Sequence, residues 1–168
     1  MVVSIPKALS YYLIKRMISF SCKSYADLSK NELYAILWLR AKVFVVEQNC
    51  PYQDLDGKDQ KSFHVLGVKD NLIAAYTRLI PKSISYENYC SIGRVVCDPS
   101  IRNAGEGKAL MQFSIDTCRE LFQEVPIKIS AQTYLRRFYS ELGFVVTGEE
   151  YLEDNIPHIG MLLDESIL

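Results

Sequence analysis

Polar and apolar positions change period several times along this chain. Ile18 to Tyr25 alternates loosely and predicts a strand. Ser29-x-x-Glu32 then has the spacing of a capping box, and Leu33, Ile36, Leu37, Arg40 and Phe44 recur at helical intervals, so a helix with one core-facing stripe is predicted. From Gln48 to Ser62 the period is lost. Pro51, Tyr52 and Gly57 make this a polar, turn-rich passage, either one that carries specificity or a solvated connector. Phe63 to Val68 and Leu72 to Ile80 read as strands joined at Asp70-Asn71, and Pro81 to Asn88 as a loop.

Ser91 to Cys97, rich in β-branched residues, predicts a strand stopped by Asp98-Pro99. Beyond Gly107, Leu110, Phe113, Thr117, Cys118 and Leu121 restore helical spacing, and Ile127 to Ala131 reads as another strand. Thr133 is placed to cap a short helix whose Leu135, Phe138, Tyr139 and Leu142 share one face, with Gly143 as its left-handed end. Val145 to Thr147 is expected to be a short strand, Glu149, Glu150, Glu153 and Asp154 an acidic loop, and Ile156 to Asp164 the last strand. This order of strands and helices predicts an α/β fold, a mixed sheet with helices on both faces.

Composition narrows the class. With 168 residues, 49% hydrophobic and 23% charged, the chain suits one soluble globular unit, expected over residues 17–168. Residues 1–16 have too short and interrupted an apolar run for a membrane span and lack the pattern of a secretory signal. They read as an accessory helix, an extension packed on a neighbour, or the product of a little-used upstream start. A net charge of −1 gives no support to a nucleic-acid or membrane partner. Cys22, Cys50, Cys90, Cys97 and Cys118 are odd in number with no Cys-x-x-Cys pair, which suits a reducing cytoplasm and indicates neither disulfides nor zinc. Asp54-x-Asp56-Gly57-x-Asp59 has the wrong register for a calcium loop and reads as an Asp-Gly turn, so no metal is expected.

The segment Ser91 to Leu121 carries the clearest chemistry. A strand, a loop with Gly105 and Gly107, and a helix start leave unpaired N–H groups and a positive dipole end, with Arg102 and Lys108 adding charge, so an anion is favoured there. A nucleoside-triphosphate loop needs Ser or Thr after Gly107-Lys108, where Ala109 stands, and a dinucleotide loop needs glycine at Leu110. Taken alone, the segment also fits an ordinary strand-loop-helix connection. Arg102-x-x-Gly105-x-Gly107 after Cys97-Asp98-Pro99 resembles the coenzyme A pyrophosphate loop of the GCN5-related N-acetyltransferases (GNAT). Phe138-Tyr139-Ser-Glu-Leu-Gly143-Phe144 is similar to the second signature of that superfamily. The passages Leu39 to Gly57 and Glu153 to Gly160 resemble its ElaA-like branch, so the likeness runs from about Met17 to Leu163.

The resemblance implies a mostly antiparallel, twisted sheet of about six to seven strands with helices on both faces. It implies an N-acetyltransferase that moves an acetyl group from acetyl-CoA to a primary amine by direct attack in a ternary complex. It also implies a cofactor site at Val95, Val96, Cys97, Arg102, Asn103, Ala104, Gly105, Glu106, Gly107, Lys108, Gln132 and Phe138, with Tyr139 directed at the cofactor sulfur. Backbone N–H groups of the Val95 to Cys97 strand would stabilise the oxyanion. An alkyl ammonium, with a pKa of about 10.4, must lose a proton before it attacks, and Glu47, His64 and His158 are the candidate bases. Each of these, and Tyr139, also has a structural reading as a hydrogen-bonded or packing residue. Two other functions stay open: an acyl-CoA-sensing module without catalysis, and an acyltransferase of the acyl-homoserine-lactone-synthase type, whose start Leu39-Arg40, Val43-Phe44 and Glu47 also resembles. The expected partner is a small-molecule or peptide amine, and the expected assembly a monomer or homodimer in the cytoplasm.

Overall fold

A computed structural model describes residues 17–123 and 125–163; the N-terminal extension discussed above and the last five residues lie outside them. Among the described residues, seven strands form two antiparallel sheets. The first has the order β1 (Ser19–Ser24), β2 (Phe63–Lys69), β3 (Leu72–Ile80), β4 (Ser91–Cys97), and the second the order β5 (Ile127–Gln132), β7 (Ile156–Leu163), β6 (Val145–Glu153). An isolated parallel bridge, Cys90 to Ile127, links them. The helices are α1 (Lys30–Arg40), α2 (Glu106–Phe122) and α3 (Arg136–Ser140).

Strand periodicity decides which helix covers which face. On β2 and β3, Leu66 and Tyr76 pack with Ile36, Leu39 and Val43 of the first helical segment. Their neighbours Val65, Ala75 and Leu79 point the other way, to Leu110, Met111, Ile115 and Cys118 of α2. The Thr77 and Ser114 hydroxyls, 2.7 Å apart, satisfy each other inside that second layer. Each fully buried aliphatic side chain contributes about 1.5–3 kcal/mol, so both helices are held chiefly by these stripes. The capping box forms: the Ser29 hydroxyl accepts from Glu32 N–H at 3.2 Å, and Ser29 N–H donates to the Glu32 carboxylate at 2.9 Å.

Two local expectations are corrected. Glu149, Glu150 and Glu153 are not in a loop: β6 continues to Glu153, and the turn falls at Asp154-Asn155, both with positive φ. A bulge between Val146 and Glu150, with Gly148 at φ 84°, interrupts the alternation that would have revealed this edge strand. Thr133 does not cap a helix; it opens a 3-10 turn, and its hydroxyl is buried without a partner. The helix continues past Arg40, as the stripe through Phe44 predicts, but as π-helical turns over Ala41–Glu47. The Asp70-Asn71 hairpin turn forms as expected, with both residues at positive φ.

Candidate active site

Past the Cys90 bridge, β4 and β5 diverge as edge strands of separate sheets. On an edge strand every second N–H points away from its one partner, so β4 presents donors to the gap. A bulge strengthens the effect: Arg94 sits at φ 51°, and the β3-β4 register slips between Tyr76 and Arg78. The gap opens into a cavity of about 1000 Å³.

Of the residues expected at the cofactor, Val95, Val96, Cys97, Arg102, Asn103, Gly107 and Gln132 line this cavity. Ala104, Gly105, Glu106 and Lys108 continue the loop beside them, and Phe138 packs edge-on against Tyr139 at 5.1 Å. Gly105 is the N-cap of α2 at φ 91°, no side chain caps the helix, and the first helical bond is Ala109 N–H to Gly105 carbonyl. The amides before Ala109 are therefore free for an anion. A side chain at Gly105 would meet nothing within 4 Å, which leaves room above the loop, and a Cβ at Gly107 would lie 4.0 Å from the Cys97 sulfur. These features fit a pyrophosphate. Burial pushes the Cys97 thiol up to about 11, so it stays protonated and is a poor nucleophile.

Tyr139, on α3, is buried and lines the same cavity. Burial pushes its hydroxyl well above the usual phenol range, so it holds its proton at neutral pH. Glu47, at the end of the π-helical segment, also lines the cavity, but both its oxygens are taken by Arg102 at 2.5 and 2.9 Å. The Arg102 hydrogen bonds hold the Glu47 carboxyl below its usual range. His64 is not in the lining. It is buried beneath α1, with Nδ1 2.8 Å from the Tyr76 hydroxyl and Nε2 3.1 Å from the Asp59 carbonyl. His158, on β7, does line the cavity, as do Tyr151, Ser130 and Glu153 around it.

Missing from the sequence-based picture is a charge network beside the cavity, which Asp56, Arg78 and Arg94 help to line. Arg40, fully buried, bonds Asp54 at 2.8 Å and Asp59 at 2.9 Å; Arg78 bonds Asp56 and Asp59; Arg94 bonds Asp54 at 2.7 Å. The Asp-x-Asp-Gly-x-Asp passage read as a turn is thus also the counterion set of three arginines. A signal existed: Arg40 falls on an apolar helix stripe and Arg78 inside an apolar strand, and a buried guanidinium demands carboxylates.

Comparison with known proteins agrees with this geometry. The acetyltransferase (GNAT) domain model matches residues 25–165. Protein ElaA of Escherichia coli (strain K12) is 42% identical over 147 residues, 86% of this chain and 95% of ElaA. The E. coli ElaA crystal structure matches with a TM-score of 0.82 over 88% of this chain and 100% of that one. An acyl-CoA N-acyltransferase from Pseudomonas aeruginosa is 42% identical, with a TM-score of 0.82 over 87% of this chain and 99% of its own. BjaI, a CoA-dependent acyl-homoserine lactone synthase, is 17% identical and shares the fold, with a TM-score of 0.72 over 89% of this chain and 85% of its own.

Proposed function

The chain belongs to the acetyltransferase (GNAT) family, in its ElaA-like branch, and from that membership we propose an N-acetyltransferase that moves an acetyl group from acetyl-CoA to a primary amine in a ternary complex. The observation that carries this reading is the convergence of three elements on one cavity: the open edge of β4, the glycine loop at the start of α2, and Tyr139. The loop amides, with Arg102 and Lys108 beside them, hold the donor's phosphates. The β4 donors stabilise the oxygen that becomes negative when the neutral amine attacks the thioester carbon. Tyr139 gives its proton to the departing thiolate and recovers one from the nitrogen as the amide forms. Two protons leave the ammonium in all; one ends on sulfur and one in solvent.

In this reading Glu47 positions Arg102 at the cofactor rather than taking a proton, and His64 supports the fold. The acceptor is a small-molecule or peptide amine. The unpaired cysteines favour the reducing cytoplasm as the compartment. Calorimetry with acetyl-CoA, followed by thiol release with polyamines, amino sugars, amino acids and peptide amines, tests the assignment. Binding together with amine-dependent thiol release is expected. Binding without release for any amine favours a sensing module, and acylation of S-adenosylmethionine, the ligand bound in BjaI, in preference to the other amines favours the lactone-synthase type.

A further inference from the structure

Resting on that reading, we propose that His158 is the general base that removes the proton from the acceptor ammonium. Three side chains are candidates by type, and their surroundings separate them. His64 is buried outside the cavity; its Nε2 faces a carbonyl, which only accepts, so Nε2 carries the proton and Nδ1 receives the Tyr76 hydroxyl. Neither nitrogen is available. Glu47 faces the cavity, but its two oxygens are held by the Arg102 fork.

His158 differs in both respects. Its Nδ1 lies 2.8 Å from the Ile156 carbonyl, so the neutral ring carries its hydrogen on Nδ1 and a bare electron pair on Nε2. Nε2 has no hydrogen-bond partner among the described residues, and the residue lines the cavity. The ring is held in place. Tyr151, its cross-strand neighbour on β6, stacks on it at 6.2 Å and 25°, while Gln132, its partner on β5, also lines the cavity. The Tyr151 hydroxyl donates to the Ser130 hydroxyl at 2.6 Å, which donates to Glu153 at 2.9 Å, so the stacking ring is itself fixed. Glu153 and Asp154 are the carboxylates on this rim, and they favour a cationic acceptor beside the base. The step balances: the ammonium N–H bond breaks, its proton passes to Nε2, and the nitrogen pair is free to form the new C–N bond.

The test uses His158→Asn, whose amide can still donate to the Ile156 carbonyl but has no basic nitrogen. With the best alkylamine of the panel above, turnover should fall about 10²–10⁴-fold while acetyl-CoA affinity by calorimetry stays within twofold. With hydroxylamine, a nucleophile already neutral at pH 7, the loss should stay below about tenfold, and added imidazole should restore part of the alkylamine rate. Independently of any activity, ¹⁵N NMR of the wild-type full chain should show His158 with an unprotonated Nε2; only His64 competes for assignment. Equal losses with both nucleophiles, a loss that is entirely weaker cofactor binding, or an Nε2–H tautomer overturns the proposal. The NMR measurement decides even if the variant misfolds. A wild-type protein that binds acetyl-CoA and acylates no amine refutes the transfer reading itself, and the wild-type control reveals that case.

Discussion

Tyr139 meets two demands with one side chain: its ring packs edge-on between Phe138 and Phe144, and the residue lines the cavity, where its hydroxyl is the proposed proton donor. Tyr139→Phe separates the two, because the packing remains and only the proton donor goes. A coenzyme A thiolate, from a thiol with a pKa of about 8.5, leaves at some rate unaided, so the variant should be slowed and not silenced. A fall of about 10²–10⁴ in turnover at saturating acceptor is expected, with acetyl-CoA affinity unchanged by calorimetry. A loss below tenfold would leave Tyr139 as a packing residue. Gly105 offers a second test. Its φ of 91° already disfavours a side chain, and Gly105→Asp adds a carboxylate in the open space proposed for a phosphate. Acetyl-CoA binding should weaken at least tenfold, about 1.4 kcal/mol, while the melting temperature moves only a few degrees. Unchanged affinity would remove the loop from the phosphate site.

Among the elements, the charge network sets how α1, the passage after it and β3 lock together. Asp59 accepts from both Arg40 and Arg78, so Asp59→Ala strips a partner from two buried guanidinium groups at once. Urea denaturation should show a loss of about 3–5 kcal/mol with an unchanged m-value, toward the lower end because Asp54 and Asp56 remain. A loss under about 1 kcal/mol would mean that water already screens the cluster. This network also marks the limit of what patterns reveal. Strands β1 to β5, strand β7 and the two long helices were legible, since their buried faces repeat at fixed periods. The Gly105 to Gly107 loop was legible from its paired glycines, of which Gly105 takes the positive φ that favours glycine. The carboxylates that meet Arg40 and Arg78 were not, because only the topology brings them together. Of β6 the start, Val145 to Thr147, was legible, but its second half hid for a different reason: on an edge with a bulge, solvent faces both sides of Glu149 to Glu153, and no alternation is required. His158 carried no signal of its own beyond its residue type; its tautomer depends on the Ile156 carbonyl that the β7 start turns toward it.

At the scale of the whole molecule, the buried ionisable groups give stability a definite pH dependence. Burial lowers the pKa of His64 below that of an exposed imidazole, so the folded protein resists protonation there while the unfolded chain accepts it. For Asp56 and Asp59 burial acts upward, but the hydrogen bonds and charge of Arg78, joined at Asp59 by Arg40, outweigh it and hold both below the carboxylate range. All three shifts are depressions. Each therefore contributes stability that is complete above the unfolded pKa and is lost as pH falls toward the folded one. The His64 contribution should begin to fail below about pH 6.5 and those of Asp56 and Asp59 below about pH 4, so the decline comes in two stages. Over the first stage one extra proton on the unfolded chain gives a slope approaching about 1.4 kcal/mol per pH unit. His64→Gln, whose amide can still donate to the Asp59 carbonyl, should lower stability at every pH yet flatten that slope. Urea unfolding of both proteins at pH 8, 6 and 5 measures it. If the two slopes between pH 6 and 5 are equal, His64 is not the buried neutral group described here, and the early acid loss must come from elsewhere.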